Sequence, residues 1–195
     1  MKKIITLIIC TIISSALLAQ TEHLKFKGVP IDGTLEKFSD ALIAIGFELN
    51  EDSEKDEMFL IGDFAGYKDC RVYVSTLDNI DLVNHVSVSF PERDSWSTLL
   101  QDYTSLKEML TEKYGAPSED VEDIPNENAT SNSDILFEIK TDNYDYHSIF
   151  STDEGVIALS IEHYTLLFVE RYFVAIQYYD KINSDIIRDH AINDL

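Results

Sequence analysis

Two segments with the apolar period of a helix, each followed by segments with the apolar period of a strand, most constrain how this chain can fold. In both helical segments every third or fourth residue is apolar: Leu35, Phe38, Leu42 and Ile45 in the first, and Leu99, Tyr103, Leu106 and Leu110 in the second. This spacing gives each helix one apolar stripe, so each helix is expected to cover one face of a sheet. Gly46 and Gly115 are typical helix ends.

The strand-like segments alternate apolar and polar residues. Phe59 and Ile61 begin the series, and two later segments set Cys70, Val72, Val74, Val86, Val88 and Phe90 against Arg71, Tyr73, Ser75, His85, Ser87 and Ser89. Residues 64–69 are expected to form the turn of a hairpin, and further strands are expected within residues 135–139, 146–150, 157–161 and 172–179. Such alternation is typical of an antiparallel sheet with one buried and one wet face.

The order of these segments predicts an α+β fold of tandem units, each a helix plus antiparallel strands, with the helices packed on one sheet face. Residues 20–92 would form the first unit and residues 93–195 the second. Residues 118–134 are acidic, rich in Asn and Ser, and have no apolar period, so we expect a loop there. Ser184 is expected to cap a short C-terminal helix on which Ile187, Ala191 and Leu195 share a face.

Residues 1–19 have the composition of a secretory signal peptide. Lys2 and Lys3 precede an apolar run from Ile4 to Leu18, and Ala19 is a small residue at a plausible cleavage site. The run is shorter than the roughly 20 apolar residues that a membrane-spanning helix needs. We therefore expect the chain to be exported, to the periplasm or out of the cell, without membrane insertion.

The charge of the chain narrows the class of partner. The formal net charge is -21, and removal of Lys2 and Lys3 with the signal peptide would make it -23. A surface of this sign repels phosphate backbones and anionic headgroups, so nucleic acid and acidic membranes are disfavoured as partners. A protein or a neutral ligand is compatible with it, and so is the simpler interpretation that the acidic surface keeps an exported protein soluble.

Five runs carry a resemblance to a known group: residues 26–33, 63–70, 86–96, 106–115 and 178–183. In these runs the chain resembles uncharacterised secreted proteins of the Bacteroides group. That resemblance implies export and adds no catalytic residue. At the level of the fold alone, the tandem order of helix and strands resembles the architecture of β-lactamase inhibitor protein, which implies recognition of another protein across a sheet.

No catalytic, cofactor or metal site is predicted from the sequence. Cys70 alternates with Val72 and Val74, so it is expected to face the core as a small apolar residue. The five histidines lack the close paired spacing of a zinc site. Acidic clusters at residues 51–57 and 119–123 offer hard oxygen ligands for calcium, but neither has the alternating ligands and central glycine of an EF-hand.

The polar side of the predicted sheet is the expected interaction face, formed by Arg71, Tyr73, Ser75, His85, Ser87 and Ser89. Tyrosine and arginine are common anchors of interfaces, although polar residues also suit any wet sheet face.

The sequence leaves two alternative functions. One is a noncatalytic binding module, and the other is a hydrolase built from acidic and histidine residues distant in sequence, such as His147 with Asp142 or Asp145. A broad open face would favour the first, and a closed pocket with convergent carboxylates would favour the second.

Overall fold

The computed structural model describes residues 22–51, 53, 57–77 and 80–193. The predicted signal peptide and Leu195 lie outside these residues. The strands are β1 (Lys25–Phe26), β2 (Val29–Pro30), β3 (Glu48–Leu49), β4 (Glu57–Phe64), β5 (Tyr67–Leu77), β6 (Ile80–Ser89), β7 (Glu119–Asp123), β8 (Asp145–Ser151), β9 (Gly155–Leu166) and β10 (Val169–Asp180). The helices are α1 (Leu35–Ala44), α2 (Trp96–Tyr114), α3 (Asn132–Lys140) and α4 (Lys181–Asn193). The predicted α+β fold is confirmed.

The main sheet is antiparallel and has eight strands in the order β3-β4-β5-β6-β10-β9-β8-β7. Strands β3 to β6 form one meander and strands β7 to β10 form another. The last strand of each meander, β6 or β10, lies at the centre and pairs with the other, for example through Val88 and Ile176. The short strands β1 and β2 form a separate hairpin. Each meander follows an amphipathic helix, as the sequence order predicts.

Helices α1, α2 and α3 cover one face of this sheet. Phe38 and Leu42 of α1, and Leu99, Tyr103 and Leu106 of α2, are buried in one continuous core with the valines of β5 and β6 and the apolar residues of β9 and β10. Thr34 caps α1 and Ser95 caps α2, each accepting a hydrogen bond from the backbone N–H three residues later. Gly115, with φ of 86°, ends α2 as expected.

A buried carboxylate joins the two ends of the described chain. Asp180, at the end of β10, is fully buried and accepts hydrogen bonds from the backbone N–H of Leu24 (2.8 Å) and of Asn183 (2.8 Å). Its Oδ1 also lies 3.1 Å from Nδ1 of His23. The Asn183 amide then donates to the carbonyl oxygens of Ile31 and Val83. Asp180 therefore holds the N-terminal segment, β10 and the first turn of α4 together.

Residues 132–140 form a helix, which corrects the predicted strand at 135–139. The alternation of Ile135, Phe137 and Ile139 suggested a strand, but Ser131 and Asp134 form a reciprocal capping box that starts α3. Ile139 is buried and Ile135 is partly buried, while Phe137 is 59% exposed. Helical spacing thus puts the first and last of these residues on the core side and the middle one in solvent.

The predicted loop 118–134 is also corrected, because its first part is strand β7. This edge strand pairs with β8 along residues 119–123. Lys107 of α2 contacts both Asp120 and Glu122 at 2.6 Å, and Ser148 donates a hydrogen bond to Asp120. The strand has little apolar character, so its sequence shows no apolar alternation. Charged residues of this kind are typical of strands at the edge of a sheet.

The C-terminal helix begins earlier than the sequence indicated. α4 starts at Lys181, and Asp180 rather than Ser184 accepts the hydrogen bond from its first turn.

The predicted hairpin turn at residues 64–69 shortens to Ala65 and Gly66, because β4 continues to Phe64 and β5 starts at Tyr67. Within the described part of the chain, no helix combines the length and apolar character that crossing a membrane requires.

Replacement of Asp180 by alanine is expected to lower the free energy of unfolding by roughly 2 to 4 kcal/mol, because it leaves buried N–H donors without an acceptor. Asp185→Ala is the matched control, since Asp185 is exposed and forms a surface ion pair with Lys181. The control is expected to change stability by less than about 0.5 kcal/mol. Urea denaturation of both variants measures the difference, and equal losses would show that Asp180 does not hold the termini together.

Candidate interaction face on the open side of the sheet

The six residues of the predicted interaction face lie together on the side of the sheet opposite α1, α2 and α3, which we call the open face. Cross-strand register joins them in pairs: Arg71 with Ser89, Tyr73 with Ser87, and Ser75 with His85. Arg71 is exposed and the other five are half-buried by their neighbours on the same face. Their placement agrees with the sequence, and their role in binding stays a prediction.

The middle of the open face is formed by small side chains. Ser89 of β6 pairs with Ala175 of β10, and Ala175 pairs with Ser160 of β9. In the next row Gln177 lies between Ser87 and Ala158. Because alternate residues of each strand point to the same side, these rows form a floor across three central strands in which every side chain except that of Gln177 is short.

Aromatic residues surround this floor. Phe59 contacts Tyr73 with ring centroids 5.0 Å apart, and Tyr164 contacts Phe173 at 5.8 Å. The ring of His85 stacks on Tyr179 at 4.5 Å with an interplanar angle of 15°. Tyr73 and His85 were predicted on this face, and Phe59, Tyr164 and Phe173 were not. Phe59 lies on this face because it pairs directly opposite Tyr73 on the neighbouring strand.

One end of the open face holds a small ion-pair cluster around Glu92. Its carboxylate accepts hydrogen bonds from Arg71 (3.0 Å) and from the Tyr164 hydroxyl (2.5 Å), and Arg171 lies 3.5 Å away. The hydrogen bond from Tyr164, together with the two arginine charges, holds the pKa of Glu92 below its ordinary value. The Arg71 guanidinium also lies over the Tyr164 ring at 5.6 Å. These contacts fix the orientation of an arginine and a tyrosine on the open face.

Of the residues named in the hydrolase hypothesis, His147 contacts Asp145 but not Asp142. His147 Nδ1 lies 2.5 Å from Asp145, but its Nε2 faces Glu119 at 3.4 Å, and Asp142 instead contacts His163 at 3.0 Å. Ser160 pairs with His147 across the strands, yet its hydroxyl donates to Glu162. Both nitrogens of His147 therefore face carboxylates, and this arrangement activates no hydroxyl or thiol nucleophile.

Cys70 is fully buried on the covered side, as predicted. Burial raises the pKa of its thiol to about 11, so at neutral pH it is protonated and a poor nucleophile. Among the described residues, no three or more His, Cys, Asp and Glu side chains are grouped so that they could hold a metal ion.

Comparison of the chain with protein-family models, with curated proteins and with solved structures finds no match. The functional assignment therefore depends on the geometry of the open face. The resemblance to secreted Bacteroides proteins and to β-lactamase inhibitor protein stays a prediction.

The two histidines of the open face are expected to titrate in different pH ranges. Burial lowers the pKa of His85. Burial also acts to lower the pKa of His147, but hydrogen bonds with Asp145 and Glu119 outweigh it and raise the value. At pH 6.5, near the ordinary histidine pKa, His147 should be mostly protonated and His85 mostly neutral. NMR titration of the imidazole protons checks the order.

Asp145→Asn provides the control for this titration. It removes the closer carboxylate and should lower the pKa of His147 while leaving that of His85 unchanged. Titration of both histidines at the same pH in the unaltered protein would contradict the assigned contacts.

Proposed function

We propose that the chain is an exported, noncatalytic binding module that holds a protein partner on its open face. One observation supports this most strongly. The chain has 36 acidic residues, yet the rows in which all four central strands, β5, β6, β10 and β9, are paired carry one charged residue on the open face, Arg71. A sheet face shaped by solubility alone would be expected to share the acidic character of the rest of the surface.

The residues that replace charge on this face are suited to recognition. Tyr73, Tyr164 and Tyr179 offer large contact areas with few rotatable bonds, and Arg71 offers a planar fork that Glu92 already orients. Aromatic and arginine side chains are enriched at the centres of interfaces, where a few of them commonly dominate the affinity.

A broad surface of this kind is better suited to a protein than to a small molecule. Small ligands are usually held in concave sites that bury most of their surface, whereas the open face spreads over eight strands. The cleft beside His147 has a volume of about 280 Å³ and is lined by Asp142, Asp145 and Glu162 among others. Because these carboxylates are negatively charged, a basic side chain of the same partner would fit the cleft.

Tyr73→Ala is expected to weaken binding of the partner by roughly 30-fold, which corresponds to about 2 kcal/mol for the loss of an anchor residue. The partner would be captured from the native envelope fraction with the unaltered protein, identified, purified, and titrated against each variant by calorimetry. Phe137→Ala is the matched control, because Phe137 is an exposed aromatic residue on α3, on the opposite side of the sheet.

The control variant should bind like the unaltered protein. Both variants should also keep a melting temperature within a few degrees of it, since neither side chain belongs to the core. Equal affinity of the Tyr73 variant and the unaltered protein would move the interaction away from the open face. Unfolding of the Tyr73 variant would show that this face is part of the core.

A further inference from the structure

The turn between β9 and β10 exposes an unusual amount of apolar surface. Four consecutive residues, Leu166, Leu167, Phe168 and Val169, form this turn, which we call the tip. Leu167 is 84% exposed and Phe168 is 100% exposed. Single exposed apolar residues are common on soluble proteins, but a contiguous apolar group at the end of a hairpin calls for an explanation.

The backbone of the tip is strained as well. Leu167 has φ of 49° and Phe168 has φ of 69°, so two adjacent bulky residues occupy the left-handed region. Two-residue hairpin turns with this geometry normally use Asn-Gly or Asp-Gly, because large side chains are disfavoured there. Residues held in such conformations commonly have a functional role. Folding alone would favour different residues at both positions.

The tip is firmly supported and continues the open face. Strands β9 and β10 pair without interruption from the tip to Asp180. Alternation places Leu166 and Val169, which pair with each other, on the same side as Tyr164 and Arg171 and then Phe173. The apolar residues of the tip therefore adjoin the Tyr164–Phe173 pair and the Glu92 cluster.

The charges near the tip indicate what could cover it. Arg171 contacts Glu92 at 3.5 Å and Lys140 contacts Glu170 at 3.4 Å, so each of these basic side chains has an acidic partner. Together with the formal charge of -21, this disfavours an anionic membrane, and it disfavours a second copy of equal charge. A protein that surrounds an apolar pocket with basic side chains is complementary to the tip in both shape and charge.

We propose that the tip inserts into an apolar pocket, rimmed by basic residues, on a partner protein, with Phe168 as the side chain that fills the pocket. This inference rests on the proposed function, because it assigns the tip to the same partner that contacts the open face. The strain at Leu167 and Phe168 is then retained for binding, since those residues are unfavourable for the turn itself.

The test is the double variant Leu167→Asn/Phe168→Gly, which gives the turn its favoured residues. We expect its melting temperature to rise by roughly 3 °C, because the strain is relieved.

The partner is identified by crosslinking in the native envelope fraction. A photoreactive phenylalanine analogue in place of Phe168 should form an adduct with one protein, which mass spectrometry then identifies. The same analogue at position 137 is the control. The identified protein, once purified, should bind the double variant at least tenfold more weakly than the unaltered chain.

Other occupants give distinct results. Cosedimentation with phosphatidylcholine vesicles or with phosphatidylglycerol vesicles that is lost in the double variant would overturn the proposal in favour of a membrane. A 168-specific adduct with a second copy, or no adduct specific to position 168, would also overturn it. So would a lower melting temperature of the double variant, because the tip would then be packed in the fold.

The outcome also separates the tip from the open face. If Tyr73→Ala weakens binding of the identified protein and the double variant does not, the tip inference fails and the proposed function stands. If the double variant weakens binding and Tyr73→Ala does not, the partner contacts the tip and the proposed role of the open face fails. If neither variant weakens binding, both proposals fail.

Discussion

Pairing between β6 and β10 is the interaction on which the rest of the structure depends. Each of these strands ends one meander, and their hydrogen bonds make one sheet of eight strands from two sets of four. Because the sheet is continuous, α1 and α2 can share a core, in which Leu42 and Leu106 belong to the same cluster. Asp180 stabilises the end of this junction from inside. The same pairing makes the opposite side one continuous surface that neither meander would have alone.

The open face combines two requirements that normally conflict. A solvated sheet face should be polar, yet this one carries the Phe59–Tyr73 and Tyr164–Phe173 pairs. Each ring of these pairs is half-buried by its neighbour, which limits the apolar area in contact with water. The arrangement keeps aromatic surface available to a partner at a small cost in solubility.

Strands whose faces differ in polarity could be predicted from the sequence, and strands held by charge could not. Val72, Val74, Val86 and Val88 alternate with polar residues, so the side of the sheet that each of them faces follows directly. β7 is held by Lys107 and by pairing with β8, which leave no apolar period to recognise. Alternation also misled the interpretation of residues 135–139, where the capping box was the better signal. Phe168 gave no signal, because exposure depends on where β9 and β10 end.

The charge and the aromatic residues of this protein act at different distances. A formal charge of -21 is felt over roughly one Debye length, about 8 Å at physiological ionic strength, so it favours the approach of basic surfaces and repels anionic ones. In the proposed complex, the rows where all four central strands are paired present one charged side chain, Arg71, and desolvated aromatic side chains would determine how long the partner stays. Under the proposed function, charge would govern association and the aromatic residues would govern dissociation. A partner that matched the charge alone would bind quickly and leave quickly.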